Sequence, residues 1–308
     1  NISRINFKFF IIGIDFFVSF DLLALIDDSV IDGLFLDLIR NESGQLNISS
    51  LLPDKFQGDF VWKSNVVINN IEGRFRDFKG WGKIPRTMDQ LFHGGTFIYE
   101  VVDNQDLNST LSLQFKDSST SIVMHGKGSL HDQQLDYNVS ISDLDSAKWG
   151  AYLIPFKGFY IYDDVVDISG TIYYNGKRSD RDYLLYDLNM VSDDLSFDMP
   201  FVRDSFSNIQ VTVNVSNNSG DVVFKFLPFD ALINDISIYG KGDINLTNRT
   251  INMLFNTKEL LDIDTTSLIF PRVNLPHFDS NFQLQLLVNG NIKKPDVRAE
   301  FKTEYLDY

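Results

Sequence analysis

Apolar and polar residues alternate along most of this chain. Leu135, Tyr137, Val139 and Ile141 are separated by Asp136, Asn138 and Ser140; Ile209, Val211, Val213 and Val215 by Gln210, Thr212 and Asn214. The same rule covers Leu111, Leu113 and Phe115, and Ile5, Phe7, Phe9 and Ile11. It returns at Val222, Phe224 and Phe226, at Phe282, Leu284 and Leu286, and at Val297, Ala299 and Phe301. A period of two puts the apolar side chains of an extended segment on one side, so each segment predicts a half-buried strand. About twenty such segments, of roughly five to eight residues each, are divided by turn-forming clusters of Asn, Asp, Gly and Ser. Helical spacing is scarce. Residues 22–31, with Asp21 as cap, predict a short helix, and residues 260–276 predict at most one helical turn.

One hairpin recurs. Residues 122–141 (IVMHGKGSLHDQQLDYNVSI) and 236–255 (ISIYGKGDINLTNRTINMLF) both run strand, Gly-Lys-Gly, polar turn, strand. In the second copy Ile236, Ile238, Gly240, Gly242, Ile244 and Leu246 fall on one face. Glycine on the apolar face of a strand lets it bend or admits a close neighbour. A phosphate loop would need a longer glycine frame ending in Lys-Ser or Lys-Thr before a helix, so the pair marks a bend.

The expected fold class is therefore all-β: an elongated, curled antiparallel sheet forming a U-shaped hydrophobic groove, with one or two short helices. Its expected divisions are N-terminal strands over 1–75, a basic and aromatic insertion over 76–95, and groove hairpins over 96–308, in one continuous unit. An open sheet of that size must curl, split or close. Its apolar face then meets a second sheet, a bilayer or a lipid-like ligand. Membrane-barrel strands run to about 9–11 residues, longer than the segments read here.

Composition narrows the chemistry. The chain has no Cys and a formal charge of −15, which argues against disulfides, thiolate sites and general nucleic-acid binding. It has 27 Phe against 8 Pro, much bulky apolar surface with few rigid turns. The four histidines, His93, His125, His131 and His277, fall in no metal-ligand frame, and no nucleophile elbow occurs. The clustered acids Asp163, Asp164 and Asp167 lack a calcium-loop frame and read as solvated turns. No catalytic residue, cofactor or metal is expected. No run reaches the ~18 apolar residues of a membrane helix. Arg74, Arg76, Lys79, Trp81, Lys83 and Arg86 form the one cationic, aromatic-studded segment, a candidate contact for an anionic membrane surface.

Three stretches resemble a known family. Residues 40–52 (RNESGQLNISSLL), the terminal VNGNIKKPDV of 288–297 and the repeated Gly-x-Gly hairpins are similar to segments of the AsmA-like family, which includes TamB. The resemblance implies a repeating-β-groove fold and a non-enzymatic role in moving or shielding phospholipid between inner and outer membranes of a diderm bacterium, supporting outer-membrane biogenesis. It implies a periplasmic location, an outer-membrane assembly partner of the Omp85 type, and a membrane anchor outside these 308 residues. The groove-facing residues expected from alternation are Leu111, Leu113, Phe115, Leu135, Tyr137, Val139, Ile141, Ile209, Val211 and Val213. Ile236, Ile238, Ile251, Met253, Phe255, Phe282, Leu284 and Leu286 complete the set. Asp at both Val211 and Met253 is expected to block lipid contact and spare the fold. The alternative is a β-sandwich surface or adhesin-type binding protein whose apolar faces close on each other.

Overall fold

A computed structural model of the chain describes residues 3–5, 9–10, 28–43, 47, 65–79, 88–102, 106–116, 118–129, 134–153, 160–161, 165–175, 184–198, 203–217, 220–262 and 281–303. They are nearly all β, as the alternation predicts. The strands are β1 (Ser3–Ile5), β2 (Phe9–Phe10), β3 (Asp28–Arg40), β4 (Asn65–Asp77), β5 (Met88–Val101), β6 (Asp106–Phe115), β7 (Ser121–Ser129) and β8 (Gln134–Asp145). After helix α1 (Ser146–Leu153) come β9 (Tyr160–Ile161), β10 (Val165–Asn175), β11 (Leu184–Asp198), β12 (Phe206–Ser216) and β13 (Val223–Ile233). β14 (Ile236–Asn245), β15 (Thr250–Thr257), β16 (Gln283–Asn291) and β17 (Lys294–Lys302) complete the order.

The chain divides into two compact units: residues 1–144 with 169–185, and residues 145–168 with 186–308. Of the stretch expected as an insertion, 76–77 end β4 and 88–95 begin β5, with Arg76 opposite Asp89 and Asp77 opposite Met88, and 80–87 lie outside the described residues. In the first unit β4 to β8 form an antiparallel meander. β3, however, pairs with β4 in parallel, Leu36 beside Gly73 and Leu38 beside Phe75, and β1 and β2 pair with β3 in parallel as well. Alternation reports which face a residue takes and is blind to strand direction, so the all-antiparallel expectation needs this correction.

In the second unit β11 to β17 run as a meander, each strand antiparallel to the next. Its inner face is Phe206, Ile209, Val211, Val213 and Val215 on β12, Phe224, Phe229, Ala231 and Ile233 on β13, and alternate residues of β14 to β16. Bulges lie side by side on neighbouring strands: between Ser192 and Leu195, between Ser207 and Gln210, and between Phe226 and Phe229. Each adds a residue on one strand, bending it and raising its twist, and a line of them curls the sheet. The rings of Phe229 and Phe255, two strands apart, come within 6.4 Å, against roughly 10 Å between the backbones of a flat sheet.

Two further expectations change. The long strands run from 8 residues in β15 to 15 in β11, and all of them but β15 exceed the five to eight expected. The apparent breaks were bulges: at Leu227-Pro228 the inward register shifts by one residue and the strand continues. Residues 28–31 of the expected helix belong to β3, and 22–27 lie outside the described residues, as does 263–276 of the second candidate. The helix that is described, α1, is capped by Asp145, whose Oδ1 accepts the Lys148 N–H at 3.0 Å.

A candidate apolar groove

The two units bury the expected groove residues to different degrees. On the first unit Leu111, Leu113, Leu135, Tyr137 and Ile141 are half-buried, and only Phe115 and Val139 are buried. Cross-strand register places them in rows. Phe97, Leu111, Met124 and Val139 form one, and Leu113, Ile122 and Ile141 another, so apolar side chains from β5 to β8 make a continuous, incompletely covered surface. The opposite face of the same strands presents Asn108, Lys127, Asp136 and Asn138, all exposed.

On the second unit Ile209, Val211, Val213, Ile238, Ile251, Met253, Phe255, Phe282, Leu284 and Leu286 are all buried, and only Ile236 is half-buried. Six of them, Ile209, Val211, Val213, Ile251, Met253 and Phe255, line a cavity of about 70 Å³ inside a cleft of about 940 Å³ that includes open solvent. Among its eighteen lining residues Ser192 alone has a polar side chain. Ile238, Leu284 and Leu286 border a smaller crevice of about 10 Å³, and Phe282 is sealed edge-on against Phe301 at 4.9 Å. Met190, Leu195, Phe197 and Phe229 also line the main cavity and were not expected there. Their signal was the alternation on either side of Ser192-Asp193-Asp194 and Leu227-Pro228, which the bulges interrupt.

The cationic candidates are less available than a loop would make them. Arg74 and Arg76 lie in β4. Arg74 makes a two-pronged bond to Asp89, Nε to Oδ1 at 2.6 Å and Nη2 to Oδ2, and this bond holds its guanidinium pKa above the ordinary value. Arg76 donates to Asp37 at 2.5 Å. Lys79 is exposed and its backbone N–H bonds Asp77 at 2.9 Å. Trp81, Lys83 and Arg86 lie outside the described residues. Among the described residues no three His, Asp or Glu side chains gather as metal ligands, and no helix is long and apolar enough to cross a membrane.

The class that fold and faces define is an all-β chain whose sheets keep one apolar side and one polar side. Compared with known proteins, it matches no family model, no curated protein and no solved structure.

Proposed function

We propose that this chain is a non-enzymatic lipid-binding segment that shields phospholipid acyl chains on an apolar β face. The observation that carries the reading is the half-buried surface of Phe97, Leu111, Leu113, Met124, Ile122 and Ile141 on the first unit, backed by a charged, hydrated face. An acyl chain laid there gains about 0.8 kcal/mol for each methylene removed from water. The contact is non-directional, so it reads tail length more than headgroup. The motif resemblance supports a setting of the AsmA/TamB kind, between two membranes, supporting outer-membrane biogenesis with an Omp85-type partner. A membrane barrel is disfavoured, although the strands are long enough. The outward residues Asp187, Lys225, Asp230 and Lys241 are exposed, and a charge facing lipid costs up to about 2–4 kcal/mol at mid-bilayer.

Native mass spectrometry and solvent extraction of the purified chain test the reading. Co-purifying phospholipid is expected; a chain free of lipid, and unable to take it from vesicles, overturns it. The second reading, a binding protein with a closed core, is favoured by one feature: Ile209, Ile233, Ile238 and Phe282 on the second unit are at most 1% exposed.

A further inference from the structure

One row of the first unit's apolar face carries hydroxyl groups. Val66, Tyr99, Ser109, Gly126 and Tyr137 are successive cross-strand partners from β4 to β8. The row on one side holds Val101, Leu107, Gly128 and Leu135, and the row on the other Phe97, Leu111, Met124 and Val139. None of the three rows contains a charged residue. Gly126 makes the polar row possible. A side chain there would collide with the Tyr137 ring, which lies across the glycine and brings its hydroxyl to 2.6 Å from Ser109 Oγ.

Two hydroxyls carry two protons, and the bond between them uses one. Among the described residues neither side chain makes another hydrogen bond, so one O–H donor remains on a greasy surface. The neighbouring Tyr99 is a neutral phenol at ordinary pH. Burial first, and Tyr137 second, push its pKa up to about 12.

We propose that this notch seats the ester carbonyl at the head of an acyl chain lying along the face, an inference that rests on the lipid reading above. The carbonyl supplies the acceptor that the Ser109–Tyr137 pair lacks, and the flanking rows take the methylenes. A free fatty-acid carboxylate fits worse, because it would bring an anion to a site with no cation in any of the three rows.

The test uses the full chain and three probes: dioleoyl phosphatidylcholine, its ether-linked analogue with the same chains, and oleate. Uptake is read by native mass spectrometry and the bound ester carbonyl by infrared spectroscopy. The ester lipid is expected to outcompete the ether lipid roughly five-fold, the worth of about one net hydrogen bond. Tyr137→Phe keeps the ring over Gly126 and Ser109→Ala keeps the strand. Together they are expected to abolish the preference for ester over ether lipid and to move the ester band to higher frequency. Equal uptake of ester and ether lipid by the unaltered chain overturns the inference and leaves the lipid reading standing. A preference for oleate also overturns it. Uptake of none of the three overturns both.

Discussion

The rings of Phe206 and Phe255 lie 6.3 Å apart, although β13 and β14 separate their strands. In a flat sheet three strand spacings would hold the two backbones roughly 14 Å apart. The pair therefore measures how tightly the second unit curls. Phe197 stacks on Phe206 at 4.9 Å and Phe229 meets Phe255 edge-on, so four rings from β11, β12, β13 and β15 join across the concave side. Phe255 touches two of the others and is 7% exposed. Phe255→Ala is expected to cost about 3–5 kcal/mol in urea unfolding, because a curled sheet cannot collapse into the hole.

Phe229 also explains one glycine of the repeated hairpin. Gly240 is its cross-strand partner, and a methyl group at 240 would come to 2.3 Å from the Phe229 ring. Gly240→Ala is expected to destabilise the chain by about 1–3 kcal/mol through overpacking. Adding Phe229→Leu should remove most of that penalty, so the double variant should be more stable than the sum of the two single changes predicts. Strict additivity in the same unfolding assay would show that the ring does not depend on the missing side chain.

Much of this was readable beforehand, and the failures share a cause. Odd positions from Ile209 to Val215 and even positions from Leu284 to Val288 face inward as their spacing required. Gly-Lys-Gly marked strand rather than phosphate loop, and in both copies a ring or chain from a neighbouring strand fills the glycine notch. Periodicity fails where one residue is inserted. At Leu227-Pro228 and at Asp193-Asp194 a bulge breaks the alternation while the strand runs on. Parallel pairing of β3 with β4 leaves no mark on which residues point inward. Helix α1 carried a faint sign, Asp145 before Ser-Ala-Lys, in a stretch too short to show a helical repeat. The faces of the candidate groove were therefore legible, while their degree of covering was not, since it depends on how far each sheet curls.

Tyr99 gives the first unit an alkaline signature. Its folded pKa of about 12 lies above the ordinary 10.0, mainly because burial disfavours the phenolate. Below pH 10 both folded and unfolded chains keep the proton, and the contribution is fully present. Between 10 and about 12 the unfolded chain releases its proton first, so stability falls as pH rises. Tyr99→Phe is expected to flatten this part of the stability profile and to remove one late-titrating tyrosinate from the near-ultraviolet titration. An unchanged titration curve would place the raised pKa elsewhere.

Carboxylates introduced on the two apolar faces should give opposite results. Val211 and Met253 are each 6% exposed and line the same narrow cavity, so the expectation that Asp at both would spare the fold needs correcting. Two buried, unpaired carboxylates either ionise at great cost or take up protons, and loss of cooperative unfolding near neutral pH is expected for Val211→Asp with Met253→Asp. Leu111 and Leu113 are half-buried on an incompletely covered face, where water reaches an added charge. Leu111→Asp with Leu113→Asp is expected to keep native circular dichroism, lose no more than about 3 kcal/mol, and take up at least ten-fold less dioleoyl phosphatidylcholine. If this second pair unfolds as completely as the first, the first unit's face is a sealed core and has no room for an acyl chain.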